Sequence, residues 1–239
     1  MEKREFLFQE VNKIGISLDD KQLNQFIIYY DLLVEWNSFM NLTAITEFEK
    51  VVIKHFVDSL SLVRAIDLKQ DLFVIDIGTG AGFPGLPLKI AFPKLKITLL
   101  DSLQKRIKFL NEVIVKLGIK EIDTVHGRAE DFAKPGRLRE SYDLCVSRAV
   151  SNLSTLSEYC LPFVKLDGSF ISYKSEKLSE ELENAKKAIS TLGGKIEKQI
   201  DFSLAKGEIY RNLIVIKKVR NTPKQYPRKS GTAIRNPIS

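Results

Sequence analysis

The sequence predicts an α/β fold: a mostly parallel, seven-stranded sheet covered by helices on both faces, closed by an antiparallel hairpin and preceded by helices. Two observations carry this prediction. After about Leu68, short apolar runs alternate with helical segments, which is typical of a doubly wound sheet. The last two runs are joined only by the stretch LAKGEIYR, which is too short for a crossover helix. These two strands should therefore pair antiparallel.

Two helices are predicted ahead of the sheet, and they form an N-terminal helical segment over residues 1–66. In the run DKQLNQFIIYYDLLVEW, apolar side chains recur at the spacing of an amphipathic helix. Ser17 followed by Asp20 predicts its N-terminus. A second helix is predicted over residues 47–66, with Thr46 as its N-cap.

The sheet is predicted to form a central domain over residues 67–219. Its candidate strands are Leu72–Ile77, Ile97–Asp101, Ile122–His126, Tyr142–Ser147, Ser169–Tyr173, Lys195–Ser203 and Asn212–Val219. Helical or loop-plus-helix segments separate the first five, so these strands should be parallel. Residues 220–239 are predicted to form a basic tail, which Pro223, Pro227 and Pro237 keep extended or irregular.

Composition narrows the class of protein. The chain has 239 residues and two cysteines, Cys145 and Cys160, which form no CxxC pair. It has no apolar run of about 18 residues, and its start lacks the apolar core of a signal peptide. We therefore expect a cytoplasmic protein, monomeric and without a membrane segment. His126 has no companions at metal-ligand spacing, so we expect no metal site.

The net charge of +7 is concentrated at the C-terminus. From residue 217 onward there are seven basic residues and no acidic one, so the rest of the chain is formally neutral. Such a segment indicates an anionic polymer as partner, RNA or DNA first, and a solvated tail is the alternative. We expect the tail to act apart from any cofactor site. The predicted RNA contacts are Lys174 and Arg211 on the sheet rim and Lys224, Arg228 and Lys229 in the tail.

The segment FVIDIGTGAGFPG, residues 73–85, is the main functional signal. An apolar strand opens into a glycine loop that lets a ligand lie against the backbone. GAGFPG fits the GxGxxG pattern of nicotinamide dinucleotide sites. Gly78, Gly80 and Gly82 also have a GxGxG spacing that suits S-adenosylmethionine. Asp76 favours the latter, because its carboxylate can meet that cofactor's amino group but would repel a pyrophosphate; a structural role in the turn is the alternative.

Two further positions lie where the second and third strands end. Asp101 can accept hydrogen bonds from ribose hydroxyls in either cofactor class, or it can cap the next helix. The loop Gly127–Asp131 can recognise an adenine edge through backbone N–H groups and side-chain acceptors. Glu130 can equally begin the next helix, where a negative charge is favourable.

The end of the fourth strand, CVSRAV, should face the reacting group. It lacks the NPPY motif of exocyclic amine methylation, and neither cysteine has a nucleophile context. Arg148 is a permanent cation there and can hold a phosphate or the O6/N7 edge of guanine. Guanine N7 has a free lone pair, so its attack rests on alignment and needs no base. We predict Arg148 as the catalytic residue, with a plain salt bridge as the alternative; His55 and Asp58 are candidates for the same cleft.

Several motifs then occur in the order that is typical of one bacterial family. DIGTGAGFPGLPL at the glycine loop, RAE at Arg128–Glu130 and SRAV at Ser147–Val150 resemble the ribosomal RNA small subunit methyltransferase G family, also called glucose-inhibited division protein B. The upstream WNSFMNLT and KHFVDSL resemble its N-terminal signature, and TPKQYPRKSGT resembles the tail of its Gram-positive members. The resemblance covers essentially the whole chain.

The resemblance implies a class I S-adenosylmethionine-dependent methyltransferase, Rossmann-like in fold. It implies N7-methylation of one guanine of 16S rRNA, at position 527 of the 530 loop, with 16S rRNA or the small ribosomal subunit as partner. The cofactor contacts that it implies are Gly78, Phe83, Ala129, Glu130 and Arg148. Asp76, Gly80, Gly82 and Asp101 are added from the fold. The residues alone leave two alternatives open, a nicotinamide-dependent oxidoreductase and a non-catalytic RNA-binding protein on the same fold.

Overall fold

The computed structural model describes residues 2–148, 151–175 and 179–238, so Ala149 and Val150 of the SRAV motif lie outside the described residues. Its sheet has seven strands in the order β3-β2-β1-β4-β5-β7-β6. The strands are β1 (Phe73–Ile77), β2 (Lys96–Asp101), β3 (Ile122–His126), β4 (Tyr142–Arg148), β5 (Val164–Lys174), β6 (Gly194–Leu204) and β7 (Ile209–Lys218). The first five are parallel, and β7 lies antiparallel between β5 and β6. The predicted α/β fold with its terminal hairpin is confirmed.

The strand centres match the prediction, and the largest difference is the start of β5. This strand begins at Val164 rather than Ser169, and its pairing with β4 jumps from Tyr142↔Val164 to Leu144↔Ser169. The residues between are accommodated as a bulge that includes Asp167, whose φ is 64°. The polar residues that precede the predicted start at Ser169 therefore lie within the strand, around this bulge.

Helices cover both faces of the sheet. Those of the central domain are α5 (Gly85–Ala91), α6 (Gln104–Leu117), α7 (Ala129–Phe132), α8 (Leu153–Cys160) and α9 (Ser179–Thr191). Neighbouring residues of β1 point to opposite faces, as the pleat requires. Val74 joins a core cluster with Phe109 of α6, whereas Ile75 joins a second cluster with Leu156 of α8. The division into domains at residues 66/67 and 219/220 stays a prediction.

The N-terminal segment contributes α1 (Lys3–Asn12) and α2 (Asp20–Met40), and α2 is tied to the sheet domain. The N-cap of α2 is Asp19 rather than the predicted Ser17. The Asp19 side chain accepts from the Gln22 N–H, and the Gln22 side chain returns a bond to the Asp19 N–H. Tyr29, on the buried face of α2, donates to the Ala81 carbonyl in the glycine loop. The extension therefore helps to hold the cofactor loop.

The second predicted helix is a composite. It begins at α3 (Phe48–Val51), continues as a π-helical turn over Val52–Val57 and α4 (Asp58–Leu60), and ends as a 3₁₀ turn over Ser61–Arg64. The predicted Thr46 cap is wrong, because Glu47 occupies the N-cap position and makes no side-chain capping bond. The wider π-helical turn is a local departure that often occurs at functional sites.

Candidate active site

The glycine loop follows β1, and its backbone explains its glycines. Gly78, Gly80 and Gly82 have φ of 70°, 62° and 98°, a region that L side chains rarely adopt. A Cβ on Gly80 would have only the Gly78 carbonyl oxygen near it, at 4.0 Å, so this side of the loop is open. A Cβ on Gly82 would instead overlap Leu86 and the Tyr29 hydroxyl, so that glycine serves packing.

A cavity of about 430 Å³ lies against this loop, a size within the range of small-molecule sites. Seven of the nine predicted cofactor residues line it: Gly78, Gly80, Phe83, Asp101, Ala129, Glu130 and Arg148. The two that the structure does not bring to its wall are Gly82 and Asp76. An open glycine loop, a carboxylate at one strand end and a carboxylate at the next fit a nucleoside-type cofactor such as S-adenosylmethionine.

Asp76 is fully buried beneath the loop. Its Oδ2 accepts from the Thr79 hydroxyl (2.7 Å) and the Gly85 N–H (2.9 Å). Burial raises the pKa of Asp76 to about 6 even though these bonds favour the charged form. Asp76 does not line the cavity and its bonds to the loop fit the structural alternative, so its contact with a cofactor amino group stays a prediction.

Asp101 contacts both the loop ahead of α6 and the glycine loop, but the N-cap position of α6 is Leu103, so Asp101 is not the helix cap. Its Oδ1 accepts from the Leu103 N–H (2.9 Å) ahead of α6. Its Oδ2 accepts from the Gly80 N–H (2.9 Å) and pairs with Arg106 (3.1 Å). These contacts fix a carboxylate at the cavity wall beside the glycine loop, where ribose hydroxyls are bound in open α/β folds.

Arg148 lies at the other end of the cavity, at the end of β4. Its Nη1 donates to Asp58 Oδ2 (3.0 Å) and to the Lys54 carbonyl (3.1 Å). Lys54 lies within the π-helical turn, and Asp58 directly follows it. Asp58 Oδ1 accepts from Arg211 Nε (2.8 Å), so one buried carboxylate holds two guanidinium groups. The cluster keeps an excess positive charge, and within the described residues Nε of Arg148 makes no hydrogen bond.

His55 and Phe83 complete this end of the cavity. The His55 ring stacks on Phe83 at 4.6 Å between centroids, and the Arg148 guanidinium lies 5.0 Å from the same ring. Arg148 Nη2 donates to His55 Nδ1 (3.3 Å), and His55 Nε2 contacts Thr43 Oγ1 (2.9 Å). Burial, and next Arg148, lower the pKa of His55 to about 4, so the imidazole is neutral near pH 7.

The predicted RNA contacts divide into two groups. Lys174 pairs with Glu181 (2.7 Å), Arg211 with Asp58, and Arg228 with Glu158 (2.6 Å). Carboxylates of this chain therefore pair with three of the five predicted cations, and the assignment of the five to RNA contacts stays a prediction. Lys224 and Lys229 are exposed.

The tail contacts the cavity wall, whereas it was expected to act apart from the cofactor site. The Gly231 N–H donates to Glu130 Oε1 (3.1 Å). The tail is irregular apart from α10 (Thr232–Arg235), whereas no helix was expected in it.

Among the cavity-lining residues that sequence reasoning missed are Thr43, Arg106 and Tyr159. Thr43 ends the WNSFMNLT stretch, which was the available signal. Arg106 lies on the amphipathic helix α6 and Tyr159 on α8, whose eight residues are all buried, and neither pattern indicated a cavity-lining position. In the described ranges no group of three potential metal ligands occurs, and no helix there is long and apolar enough to cross a membrane.

Solved structures share this architecture. A SAM-dependent methyltransferase from Aquifex aeolicus is similar with a TM-score of 0.54 at 18% identity, over 74% of this chain and 96% of that one. The TYW2 protein of M. jannaschii, solved in complex with AdoMet, is similar with a TM-score of 0.51 at 16% identity, over 63% of this chain and 71% of that one. At these identities the likeness shows that the chain shares the fold of these structures.

Sequence comparisons give the family. The family model described as rRNA small subunit methyltransferase G matches residues 22–214. A "Ribosomal RNA small subunit methyltransferase G" from Lachnoclostridium phytofermentans is 55% identical over 230 residues, which are 96% of this chain and 95% of the relative. The relative of that name from Acetivibrio thermocellus is 53% identical over 236 residues, 99% and 97% of the two chains. The chain belongs to the rRNA small subunit methyltransferase G family, and the oxidoreductase alternative is set aside.

Proposed function

We propose that the protein transfers the methyl group of S-adenosylmethionine to N7 of one guanine of 16S rRNA, at position 527 in the 530 loop. Membership of the rRNA small subunit methyltransferase G family supports the reaction class and the RNA. The observation that carries the assignment to this cavity is that Arg148 and Asp101 line the same cavity, at the ends of β4 and β2, the two strands that flank β1.

Residues at the nucleoside end would hold the cofactor. Asp101 offers carboxylate oxygens beside the open face of Gly80. Ala129 and Glu130 line the wall beyond. When bound, S-adenosylmethionine supplies an electrophilic methyl group on a sulfonium centre. Phe83 gives an apolar wall between the glycine loop and Arg148, which helps to exclude water from the reacting atoms.

The residues at the Arg148 end suit an uncharged nucleophile with a free lone pair. Guanine N7 has no proton to lose, so no side chain has to act as a base. His55 is neutral and stacked, and Arg148 is fixed by Asp58 and Lys54 with donor capacity that these partners do not use. We assign Arg148 to alignment of the base through its O6 edge or a flanking phosphate.

The proposed substrate is 16S rRNA, either free or within the small ribosomal subunit. The enzyme is proposed to act as a monomer in the cytoplasm. Lys224 and Lys229 are the tail cations that we propose as phosphate contacts, because both are exposed. Release of the target base from its stack is the usual requirement for chemistry on a nucleobase.

The test is methyl transfer in vitro to 16S rRNA from a strain that lacks this modification, offered as naked RNA and as 30S subunits. Labelled methyl groups are mapped by chemical cleavage at N7-methylguanine. We expect one labelled guanine, at N7, in the 530 loop. Labelling at an exocyclic nitrogen, at a carbon or at another nucleotide contradicts the proposal.

A further inference from the structure

We propose that residues 220–238, here called the C-terminal strap, are a positioning element of the cofactor cavity, with Arg228 as the residue that fastens the strap and Glu130 as the residue that it positions. The proposal rests on the proposed function in one respect, the assignment of the cavity to S-adenosylmethionine. On this proposal the basic C-terminus helps to form the cofactor site, a role that its positive charge alone does not indicate.

The strap is fixed first where it leaves β7. The Thr222 N–H donates to Glu140 Oε1 (2.8 Å), and the Thr222 hydroxyl donates to the Leu192 carbonyl (2.7 Å). Arg139 Nη2 donates to the Thr222 carbonyl (2.5 Å), and its Nη1 donates to the Tyr226 carbonyl (2.7 Å). Backbone groups that a free tail would leave to water are thus satisfied by the body of the protein.

The second fastening point is Glu158 on α8. Its side chain is 1% exposed. Its Oε1 accepts from the N–H (2.8 Å) and the Nε (3.0 Å) of Arg228, and its Oε2 accepts from Nη2 (2.6 Å). This two-point geometry holds both the side chain and the backbone of Arg228. Tyr159, the next residue along α8, lines the cofactor cavity.

The third contact reaches the cavity itself. Gly231, with φ of 79°, turns its N–H toward Glu130 Oε1 at 3.1 Å. Glu130 is 4% exposed and lines the cavity. In the described part of the chain its Oε2 has no hydrogen-bond partner, which leaves that oxygen available to a ligand. Thr155 of α8 donates to the Ala233 carbonyl (3.0 Å) and holds the strap just beyond this point.

The inferred mechanism follows from these three contacts. The Arg228–Glu158 pair fixes the strap, the strap presents one N–H to Glu130, and that bond orients the free carboxylate oxygen toward a bound nucleoside. A strap that only stabilises the fold would change the melting temperature and leave cofactor affinity unchanged at temperatures where the protein is fully folded. The two roles are therefore separable by measurement.

The experiment uses the full chain and S-adenosylhomocysteine as the probe, titrated by calorimetry well below the melting temperature. Arg228→Met should raise the dissociation constant by about tenfold. Lys198→Met, which removes an exposed cation from β6, is the matched control and should bind like the wild type. In steady-state methyl transfer, Arg228→Met should raise KM for S-adenosylmethionine by more than it lowers kcat.

A double-mutant cycle tests the route through Glu130. In a Glu130→Ala background, Arg228→Met should cause little further loss of affinity, because the positioned group is already absent. If Arg228→Met does not fold, Arg228→Lys takes its place, since it keeps the charge beside Glu158 and loses the two-point grip, and it should weaken binding by a smaller factor.

The outcomes separate the two proposals. A folded Arg228 variant that binds like Lys198→Met overturns the positioning role and leaves the proposed function intact. Full additivity of Arg228→Met and Glu130→Ala also overturns it. A wild-type protein that does not bind S-adenosylhomocysteine contradicts the assignment of the cavity, whatever the strap does.

Discussion

Asp58 and Glu158 are both buried carboxylates paired with arginine, yet their surroundings differ in charge. Asp58 is 3% exposed and pairs with two guanidinium groups, those of Arg148 and Arg211. Glu158 is 1% exposed and, among the residues that the structure describes, pairs with Arg228 alone. The first cluster carries an excess positive charge at the cavity wall, and the second is balanced.

The difference indicates what each cluster does. In a buried pair of one carboxylate and one arginine the charges cancel, and removal of one partner leaves an uncompensated charge. The Asp58 cluster keeps a counter-ion if either arginine is lost, and Arg148 has donors to spare for a ligand. We therefore expect substitutions at Arg148 to act on catalysis and substitutions at Arg228 to act on stability and cofactor affinity.

The largest expected effect is that of Arg148→Ala on methyl transfer. The rate should fall by at least about 100-fold, the loss typical when a fixed donor is removed from a reacting centre. The protein should stay folded, because Arg211 still neutralises Asp58. Single-turnover transfer to undermethylated 30S subunits and a thermal melt measure the two quantities. Arg211→Ala is the control, and an equal loss of rate in it would show that the charge of the cluster matters rather than the position of Arg148.

The second effect concerns stability. Arg228→Met should lower the free energy of unfolding by about 3 kcal/mol, because Glu158 is left buried without a cation. The double variant Arg228→Met/Glu158→Met should recover most of that loss, since it removes both charges and keeps apolar volume. Denaturant unfolding of the three proteins tests this. Arg148→Ala is unfolded in the same way for reference. If Arg228→Met is no less stable than Arg148→Ala, the two clusters do not differ as described.

A third buried carboxylate, Asp76, differs from both, because hydrogen bonds from Thr79 and Gly85 hold it and it has no ion pair in the described part of the chain. Its pKa is raised to about 6 by burial, so the folded protein binds this proton more tightly than the unfolded chain. That contribution is complete below about pH 4 and is lost as the pH rises through about 6.

The measurement compares wild type with Asp76→Asn in the absence of cofactor. The free energy of unfolding of the wild type, relative to that variant, should fall by about 2 kcal/mol between about pH 4.5 and pH 7. If the free energies of unfolding of the two proteins change in parallel with pH over that range, the pKa of Asp76 is not raised in the folded protein.

The smallest effect concerns the exposed tail cations. If Lys224 and Lys229 each neutralise one phosphate, the double variant Lys224→Gln/Lys229→Gln should bind RNA with a weaker salt dependence. The slope of log affinity against log salt should become less negative by about 1.4. Affinity for S-adenosylhomocysteine should not change. Lys198→Gln is the control for loss of charge alone, and an unchanged slope in the tail variant removes these lysines from the RNA contact surface.

Local signals predicted the sheet and most of the cofactor wall. The apolar runs that became β1 to β7 report burial directly, and the glycines report backbone angles. The pairings that distinguish the two carboxylate clusters were out of reach, because they join distant parts of the chain: Asp58 with Arg148, and Glu158 with Arg228. Composition identified a basic tail, but it carries no information on which acidic residues that tail will meet.

The π-helical turn could not be predicted from the sequence either, because its apolar residues fit an α-helix equally well. Such a turn is equivalent to an α-helix with one residue added, and each residue rotates the helix face by about 100°. Deletion of a single residue within Val52–Val57 would turn Asp58 away from Arg148 while preserving the apolar pattern at either end. We expect such a deletion to cost Arg148 its counter-ion, so the number of residues in this turn matters to the cluster as well as their types.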